Sequence, residues 1–231
     1  MEQKQKELYH AHAQRLALML QNQTEEEFAD SRFQVLSELT RLRQLCCDPA
    51  LVYENYEGGS AKLDLCIELI QSAVESGHKI LLFSQFTSMI EILTARLQEE
   101  SISCFVLQGS TKKEQRAQMV EQFNRDDTSV FCISLKAGGT GLNLTGADIV
   151  IHYDPWWNVA VENQATDRAH RIGQKNVVTV YKLIAKGTIE EKIIKLQQRK
   201  EELAEEILSG DEIKTASFQR EELLELLEEW F

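Results

Sequence analysis

The chain has 231 residues, of which 43% are hydrophobic and 27% are charged. These values are typical of a soluble globular protein with one large or two small domains. No hydrophobic run approaches the length of a transmembrane helix, and the polar N-terminus does not resemble a signal peptide, so the sequence predicts no membrane partner. The net charge is −12, but residues 201–231 contain 11 acidic and two basic residues, a balance of −9 that leaves −3 for the first 200. The charge therefore neither supports nor excludes a nucleic-acid partner.

The five cysteines are odd in number and include no C-x-x-C pair. Cys66, Cys104 and Cys132 lie within hydrophobic runs, which is typical of small buried thiols. We therefore expect reduced cysteines and a reducing compartment.

The first 59 residues are predicted to be helical. Hydrophobic residues recur at helical spacing over 1–22 and 29–47, and Asp48-Pro49 predicts the end of the second helix. The sequence Gly58-Gly59-Ser60 is the most linker-like stretch of the chain, so a domain boundary is predicted there.

From Ser60 onward, hydrophobic strands alternate with amphipathic helices. The predicted elements are a helix over 62–77, a strand over 79–83, a helix over 89–99, a strand over 104–107, a helix over 111–124 and a strand over 129–134. This pattern is typical of a mainly parallel sheet covered by helices on both faces. The predicted fold class is therefore α/β, although a metabolic nucleotide-binding domain would show the same pattern.

The end of the chain is predicted to be a strand followed by helices. The strand covers 177–184, and Thr188 with Glu191 forms a capping-box pattern at the start of a long amphipathic helix. Gly210 predicts the end of that helix, and residues 221–231 form a short acidic amphipathic pattern. A structural role is the better interpretation of this segment.

The stretch from Ser134 to Gln174 contains the strongest functional pattern. It begins at the end of a predicted strand with Gly138, Gly139 and Gly141. Glycines at this spacing let backbone N–H groups point toward one phosphate. A second buried strand is predicted over 149–151. The first part of the stretch therefore predicts a phosphate-binding loop between two strands.

The second part of the stretch contains a tryptophan pair, Trp156 and Trp157, and then a helical pattern. Gln164, Arg168 and Arg171 fall at i, i+4 and i+7, so they share one face of the predicted helix. A random Arg-x-x-Arg is usually a pair of solvated arginines. Here a strand, a glycine loop, a strand, a tryptophan pair and a Gln/Arg helix occur within 41 residues. This order favours guanidinium groups that neutralise charge on a transferred phosphoryl group.

These residues resemble motifs V and VI of the SWI/SNF-type DNA-dependent ATPases, a branch of the superfamily 2 helicase-like motors. Residues 164–174 read QATDRAHRIGQ and match the family's QAxDRAHRIGQ pattern at every fixed position. The preceding residues resemble the family's DxxWNP element, except that Val159 stands where proline is usual. Proline would pre-set the first helical turn, so this departure concerns how rigidly Trp157 is presented.

The resemblance covers about residues 8–208 and implies three parts. They are a helical protrusion over 1–59, a RecA-like second motor lobe over 60–186, and a brace helix with an acidic tail over 187–231. It further implies that Arg168 and Arg171 act as arginine fingers and that Gln164 belongs to the catalytic set. The implied nucleotide contacts are Gly139, Gly141 and Asp167.

Loops at the ends of the predicted strands are expected to contact nucleic acid, because open α/β sheets bind ligands at the carboxyl ends of their strands. The predicted contacts are Gln85, Gly109, Ser110, Ser134, Lys136, Gly138, Leu142, Asn143 and Trp157. Ser110-Thr111 also suits a helix N-cap. Adjacent tryptophans are often packing residues, and Trp156 is predicted to be the buried one.

Two nucleotide motifs are missing from the sequence. There is no G-x-x-x-x-G-K-[ST], and the only Asp-Glu pair, Asp211-Glu212, lies in the acidic tail. The resemblance therefore implies that ATP with Mg²⁺ is bound mainly by a first lobe absent from this chain, and that this chain alone is inactive. The implied partners are the backbone of double-stranded DNA, the N-terminal RecA-like lobe of the same protein and a DNA-bound target protein. The implied location is the cytoplasm, at a bacterial or archaeal nucleoid, or the nucleus.

Two other function classes stay open. A DEAD-box-like RNA helicase lobe shares the mechanics, but its motif VI normally reads HRxGRxxR, whereas Gln174 follows Gly173 here. A non-enzymatic α/β binding module would explain the missing phosphate loop, but it would leave the Gln/Arg face and the tryptophan pair unexplained. The upstream coding sequence distinguishes these classes, because it either encodes a phosphate loop and a DExH motif or does not.

Overall fold

A computed structural model describes residues 1–138, 142–169, 176–207 and 227. The chain divides into two compact units, of which one comprises Met1–Ser60 and Ala185–Phe231 and the other comprises Ala61–Ile184. The elements in chain order are α1 (Gln3–Gln21), α2 (Glu25–Cys47), α3 (Ala61–Glu75), β1 (Ile80–Ser84), α4 (Thr87–Glu99), β2 (Cys104–Leu107), α5 (Lys113–Arg125), β3 (Val130–Ser134), α6 (Leu135–Gly138), β4 (Ile149–His152), α7 (Val159–Thr166), β5 (Thr179–Lys182) and α8 (Ile189–Ile207).

The first unit joins the two N-terminal helices to α8. The Gln5 side chain donates a hydrogen bond to the carbonyl of Leu45 at 2.9 Å, which ties α1 to the end of α2. The first backbone N–H of α8, at Ile189, donates to the hydroxyl of Tyr9 at 2.7 Å. A buried tyrosine hydroxyl thus satisfies a helix N–H that has no partner within its own helix. The two ends of the chain therefore form one unit.

The second unit is built on a five-stranded parallel sheet with the order β2-β3-β1-β4-β5. In this register Ser84 lies beside Ser134, and Phe83 lies beside His152. Because every neighbouring pair is parallel, the carboxyl ends of the strands meet at one edge of the sheet. The predicted α/β fold class is confirmed.

Helices cover both faces of this sheet. Strands β1, β3 and β4 are buried along their whole length, which accounts for their continuous hydrophobic sequences. On one face, Leu81 and Phe131 pack in a hydrophobic cluster with Phe123 of α5 and Ala165 of α7. Helix α4 packs against β1, β2 and β3 through the buried side of the helix that includes Leu93. Full burial of each large hydrophobic side chain contributes about 1.5–3 kcal/mol to stability.

The last strand of the sheet differs from the interior strands in its exposure. Strand β5 is exposed along its whole length and covers Thr179–Lys182, so it is shorter than the predicted 177–184. An edge strand pairs on one side only, and regular pairing here is limited to the four residues that face β4.

Among the described residues, none of the helices combines the length and hydrophobicity that a membrane crossing requires.

Two helix starts differ from the sequence prediction. The predicted cap at Ser110-Thr111 is wrong, because α5 begins at Lys113 and the Thr111 hydroxyl instead accepts the N–H of Gln108 at 3.1 Å. Thr111 therefore closes the turn after β2.

At the start of α8 the capping residues are correct but their bonds are shifted by one residue. The Thr188 hydroxyl accepts the N–H of Glu190 at 3.2 Å, and the Glu191 carboxylate accepts the N–H of Gly187 at 2.9 Å. Both bonds satisfy backbone N–H groups around the helix start, as a capping box does.

Candidate functional site

The strand-end loops named from the sequence lie along the carboxyl edge of the sheet. Residues 109–110 follow β2, residues 135–138 follow β3, residues 85–86 follow β1, and residues 153–157 follow β4. The strand order places the three loops and helix α6 (Leu135–Gly138) side by side in that sequence. Carboxyl edges of open parallel sheets are where ligands bind, so this edge is the candidate site.

A buried aspartate joins the loops after β1 and β4. Asp154 is 1% exposed, and its carboxylate accepts the Ser84 hydroxyl at 2.5 Å. The backbone N–H of Gln85 donates to both Asp154 oxygens at 3.3 and 3.4 Å. On the other side, Lys62 of α3 donates to the carbonyl of Tyr153 at 3.2 Å. Hydrogen bonds to a buried carboxylate offset its desolvation, so residues 153–157 are held from two neighbouring elements.

Arg116 of α5 joins the loops after β2 and β3. Its guanidinium donates to the carbonyl of Thr111 at 3.4 Å and to the carbonyl of Ala137 at 3.3 Å. Beside it lies an open cleft of about 520 Å³. The cleft is lined by Thr111, Lys113, Arg116, Ala117, Val120, Leu142 and Asn143. Two cationic side chains and no carboxylate occur among these lining residues, so the cleft suits an anion although the chain is acidic overall.

Asn124, at the end of α5, holds the loop before β4. Its amide donates to the carbonyl of Asn143 at 2.8 Å, and its amide oxygen accepts the N–H of Gly146 at 2.9 Å. A Cβ at Gly146 would lie 3.0 Å from both the Cα and the Oδ1 of Asn124. The loop therefore approaches α5 so closely that a side chain at position 146 would press on the backbone of Asn124.

Helix α7 begins without the proline that is usual at its first position. The Asn158 side chain accepts the N–H of Ala160 at 3.0 Å and caps the helix, which is a stabilising arrangement at an N-terminus. The Glu162 carboxylate is 1% exposed, accepts the N–H of Trp156 at 3.1 Å and forms an ion pair with Lys182 of β5 at 3.2 Å. The tryptophan loop is therefore bonded to the helix that follows it.

His152, at the end of β4, also contacts α7. Its ring stacks on that of Phe83, with centroids 5.5 Å apart, and its Nε2 lies 3.0 Å from the Thr166 hydroxyl. The pKa of His152 is lowered from 6.5 to about 4, mainly by burial, while Glu162 acts to raise it and Lys182 to lower it. Desolvation penalises the charged imidazolium, so this histidine is neutral near pH 7.

Of the predicted shared face, Gln164 lies in α7 and Arg168 lies beyond its end, whereas Arg171 is outside the described residues. Helix α7 ends at Thr166, and the N–H of Arg168 donates to Ala165 in a tighter i→i+3 turn. Gln164 is exposed, whereas Arg168 is 3% exposed. The carbonyl of Arg168 accepts the N–H of Leu144 at 3.0 Å. This tertiary hydrogen bond joins the Arg168 backbone to Leu144, which follows Gly141 by three residues in the sequence.

The other predicted site residues fall into three groups. Gly139, Gly141 and Arg171 lie outside the described residues, and Lys136 and Gly138 belong to the short helix α6 rather than to a loop. Those that reach the surface are Gln85, Gly109, Ser110, Asn143, Trp157 and Asp167. Ser134 and Leu142 are 2% and 7% exposed, so their side chains do not lie on an accessible surface.

Sequence reasoning missed Asp154, Glu162, His152 and Asn124 as organising residues of this edge. The only sequence signal for the first three is that a polar residue interrupts or directly follows a hydrophobic stretch. Trp156, predicted to be buried, is only half-buried, although it packs against the hydrophobic cluster. Within the described part of the chain, no three His, Cys, Asp or Glu side chains gather as they would around a metal ion.

Comparison with known proteins identifies relatives of the chain. The family model described as the helicase conserved C-terminal domain matches residues 61–173. An uncharacterized ATP-dependent helicase of Mycoplasma pneumoniae is 45% identical over 202 residues, which are 86% of this chain and 19% of the relative. The human chromatin-remodeling ATPase INO80 is 43% identical over 169 residues, 73% of this chain and 11% of the relative. The chain thus spans a fifth or less of the length of these relatives.

Solved structures of one archaeal protein match over nearly the whole chain. The C-terminal domain of the Sulfolobus solfataricus SWI2/SNF2 ATPase is 31% identical with a TM-score of 0.74, and the match covers 96% of this chain and 88% of that one. The core of that ATPase in complex with double-stranded DNA is 32% identical with a TM-score of 0.75, covering 90% of this chain and 44% of that one.

Proposed function

Because the chain belongs to the SWI2/SNF2 family of ATPases, as a C-terminal RecA-like lobe, we propose that it serves an ATP-driven translocase of double-stranded DNA. In this proposal the chain supplies Arg168 and Arg171 as arginine fingers, and Gln164 belongs to the catalytic set. The observation that carries it is the position of Arg168, which is 3% exposed and bonded through its carbonyl to Leu144 at the exit of the glycine loop. An arginine whose main chain is anchored in this way can present its guanidinium to charge on a transferred phosphoryl group.

ATP is the nucleotide in the name of the M. pneumoniae relative. The residues present fit a contributor to its site rather than a complete site, because no metal-ligand cluster occurs among the described residues. Mg²⁺ and most of the nucleotide would be held by another lobe, and Gly139, Gly141 and Asp167 would contact the nucleotide from this side. When bound, ATP supplies the phosphoryl group that is transferred to water. The chain's own contribution is to orient Arg168 through α7 and the Leu144 bond.

The DNA backbone is proposed to run along the carboxyl edge of the sheet. A Cβ at Gly109 would meet no described atom within 4 Å, so the backbone there leaves room for a phosphate. Lys113 and Arg116 add positive charge in the adjacent cleft. The solved core complex contains double-stranded DNA, which favours a duplex over the RNA of a DEAD-box-like helicase. Further partners would be the N-terminal lobe and a DNA-bound protein, in a bacterial or archaeal cytoplasm or a nucleus.

The test is ATP turnover by the two-lobed protein carrying Arg168→Ala, Arg168→Lys or Arg171→Ala. Each change is expected to reduce turnover on the order of 10³-fold, as for other arginine fingers. Because Arg168 is buried, the melting temperature is measured alongside, and Arg168→Lys separates loss of the guanidinium from loss of volume. Arg125→Ala is the matched control, since its side chain is 77% exposed at the far end of α5. If Arg168→Ala and Arg171→Ala turn over ATP at the rate of Arg125→Ala, the proposed function is wrong.

A further inference from the structure

A buried carboxylate of helix α7 contacts the tryptophan corner, which is the name used for residues 154–157. Glu162 is 1% exposed, one of its oxygens accepts the N–H of Trp156 at 3.1 Å, and the other lies 3.2 Å from the Nζ of Lys182. The Lys182 side chain is 41% exposed. A charge that is removed from water costs several kcal/mol unless its partners replace the lost hydration. A buried charge of this kind contributes little net stability. Its contribution to the protein is therefore sought in the structural elements that it connects.

The elements that Glu162 connects are three. Trp156 belongs to the tryptophan corner, Glu162 lies in α7, and Lys182 ends β5. One helical turn beyond Glu162, Thr166 bonds to His152, which lies beside Lys182 in the sheet register. Helix α7 is therefore bonded at two successive turns to the carboxyl ends of β4 and β5, and Arg168 follows two residues after the second bond.

The bond between Trp156 and Glu162 links the main chain of the corner to a side chain of α7. The Trp156 donor is a backbone N–H, so a displacement of the corner's main chain displaces the Glu162 carboxylate or breaks its bond. The charge of Lys182 is paired with the Glu162 carboxylate at 3.2 Å. The carboxylate is thus held between a main chain that faces the proposed DNA track and a helix that leads to the proposed arginine finger.

We propose that Glu162 is a positioning residue that transmits the state of the tryptophan corner to Arg168, so that DNA contact at Trp157 is coupled to ATP turnover. This inference rests on the proposed function. Glu162 contacts neither substrate in it and acts through Trp156 and α7. Its side chain would set the ratio of DNA-stimulated to basal turnover rather than the chemistry itself.

The experiment compares Glu162→Gln, Lys182→Met and the double variant in the two-lobed protein. Glutamine keeps an acceptor for the Trp156 N–H but loses the charge that pairs with Lys182. ATP turnover is measured with and without saturating linear duplex DNA. Glu162→Gln is expected to lower the ratio of stimulated to basal turnover about fivefold or more, the usual size of coupling between two sites. Lys182→Met should lower it in the same direction, and the double variant should be no worse than Glu162→Gln.

Glu121→Gln is the matched control, because Glu121 forms an exposed ion pair with Arg125 at 2.7 Å on the outside of α5, and its ratio should match the unmodified protein. A ratio for Glu162→Gln equal to that of Glu121→Gln overturns the inference, and so does a lower melting temperature with an unchanged ratio. Lys182→Met, on the exposed side of the pair, keeps the test valid if Glu162→Gln does not fold. Arg168→Ala in the same assay separates the two proposals. If it abolishes turnover while Glu162→Gln keeps its ratio, only this inference is wrong.

Discussion

The two tryptophans of the tryptophan corner are expected to have different roles, one in packing and the other in binding DNA. Trp156 packs against the hydrophobic cluster and donates its N–H to Glu162, whereas Trp157, also half-buried, lies directly before the helix cap at Asn158. Trp157→Ala in the two-lobed protein is expected to impair DNA-stimulated turnover much more than basal turnover. The aromatic ring can rest on a base or sugar, a contact worth ~1–3 kcal/mol when it stacks on a base.

Trp156→Ala is the paired measurement and should instead lower the melting temperature, because it removes packing from the cluster. Reversed phenotypes would show that Trp156 is the DNA contact. Two variants without any DNA-coupled defect would show that the DNA track does not pass this corner.

His152 makes stability depend on pH in a defined window. Its pKa is lowered from 6.5 to about 4, mainly by burial, so the unfolded chain takes up a proton there before the folded chain does. The contribution is fully present above pH 6.5 and is lost as the pH falls toward 4. The difference between the two pKa values corresponds to roughly 3 kcal/mol. Between pH 7 and pH 5, His152 should account for a loss of about 2 kcal/mol in the free energy of unfolding.

Urea unfolding of His152→Gln at pH 7 and pH 5 checks this expectation. Glutamine cannot titrate in this range, so the variant should lose less stability than the unmodified chain over the same interval. His10→Gln, at an exposed position of α1, controls for the loss of any histidine. Equal losses in His152→Gln and the unmodified chain would contradict the prediction.

At the scale of elements, α5 links the cleft to the loops on either side of it. Lys113 stands exposed in its first turn, and Arg116 bonds the carbonyls of two loops. Lys113→Gln is therefore expected to weaken duplex binding without altering the fold. It should also reduce the slope of log affinity against log salt concentration by about 0.9, the value for one lost phosphate contact.

Fluorescence anisotropy with a labelled duplex at several salt concentrations measures this slope. Arg125→Gln removes one positive charge at the other end of the same helix, away from the cleft lining, and should leave the slope unchanged. If both variants shift the slope equally, the cleft has no special part in binding.

At the scale of the whole molecule, the proposed function divides the ATP site between this chain and another lobe. No phosphate-loop sequence occurs in its 231 residues, and no metal-ligand cluster occurs among the described ones. The isolated chain should therefore show no ATPase activity and only weak nucleotide affinity. A phosphate-release assay with and without duplex DNA measures this. DNA-stimulated hydrolysis by the pure chain would contradict the division of the site between two lobes.

The sequence by itself determined the fold class and the location of the candidate site. The buried strands β1, β3 and β4 can be predicted because both their faces are covered and every position except the last, polar one is hydrophobic. The end of α2 can be predicted from the sequence because Asp48-Pro49 cannot continue a helix. The family was identifiable from residues 164–174, a pattern of consecutive residues that needs no knowledge of the fold.

Only the tertiary structure decided how the site is held together. Arg168 is buried beyond the end of α7, and its carbonyl accepts the N–H of Leu144, 24 positions earlier in the chain. Asp154 is bonded to Ser84 from 70 positions away. Hydrophobic periodicity indicates only which side of one helix or strand faces the interior. It does not indicate which polar group from a distant part of the sequence will contact that side. Side chains that are separated by tens of residues come into contact because the parallel sheet brings the ends of its strands to one edge. Such contacts leave no local pattern in the sequence.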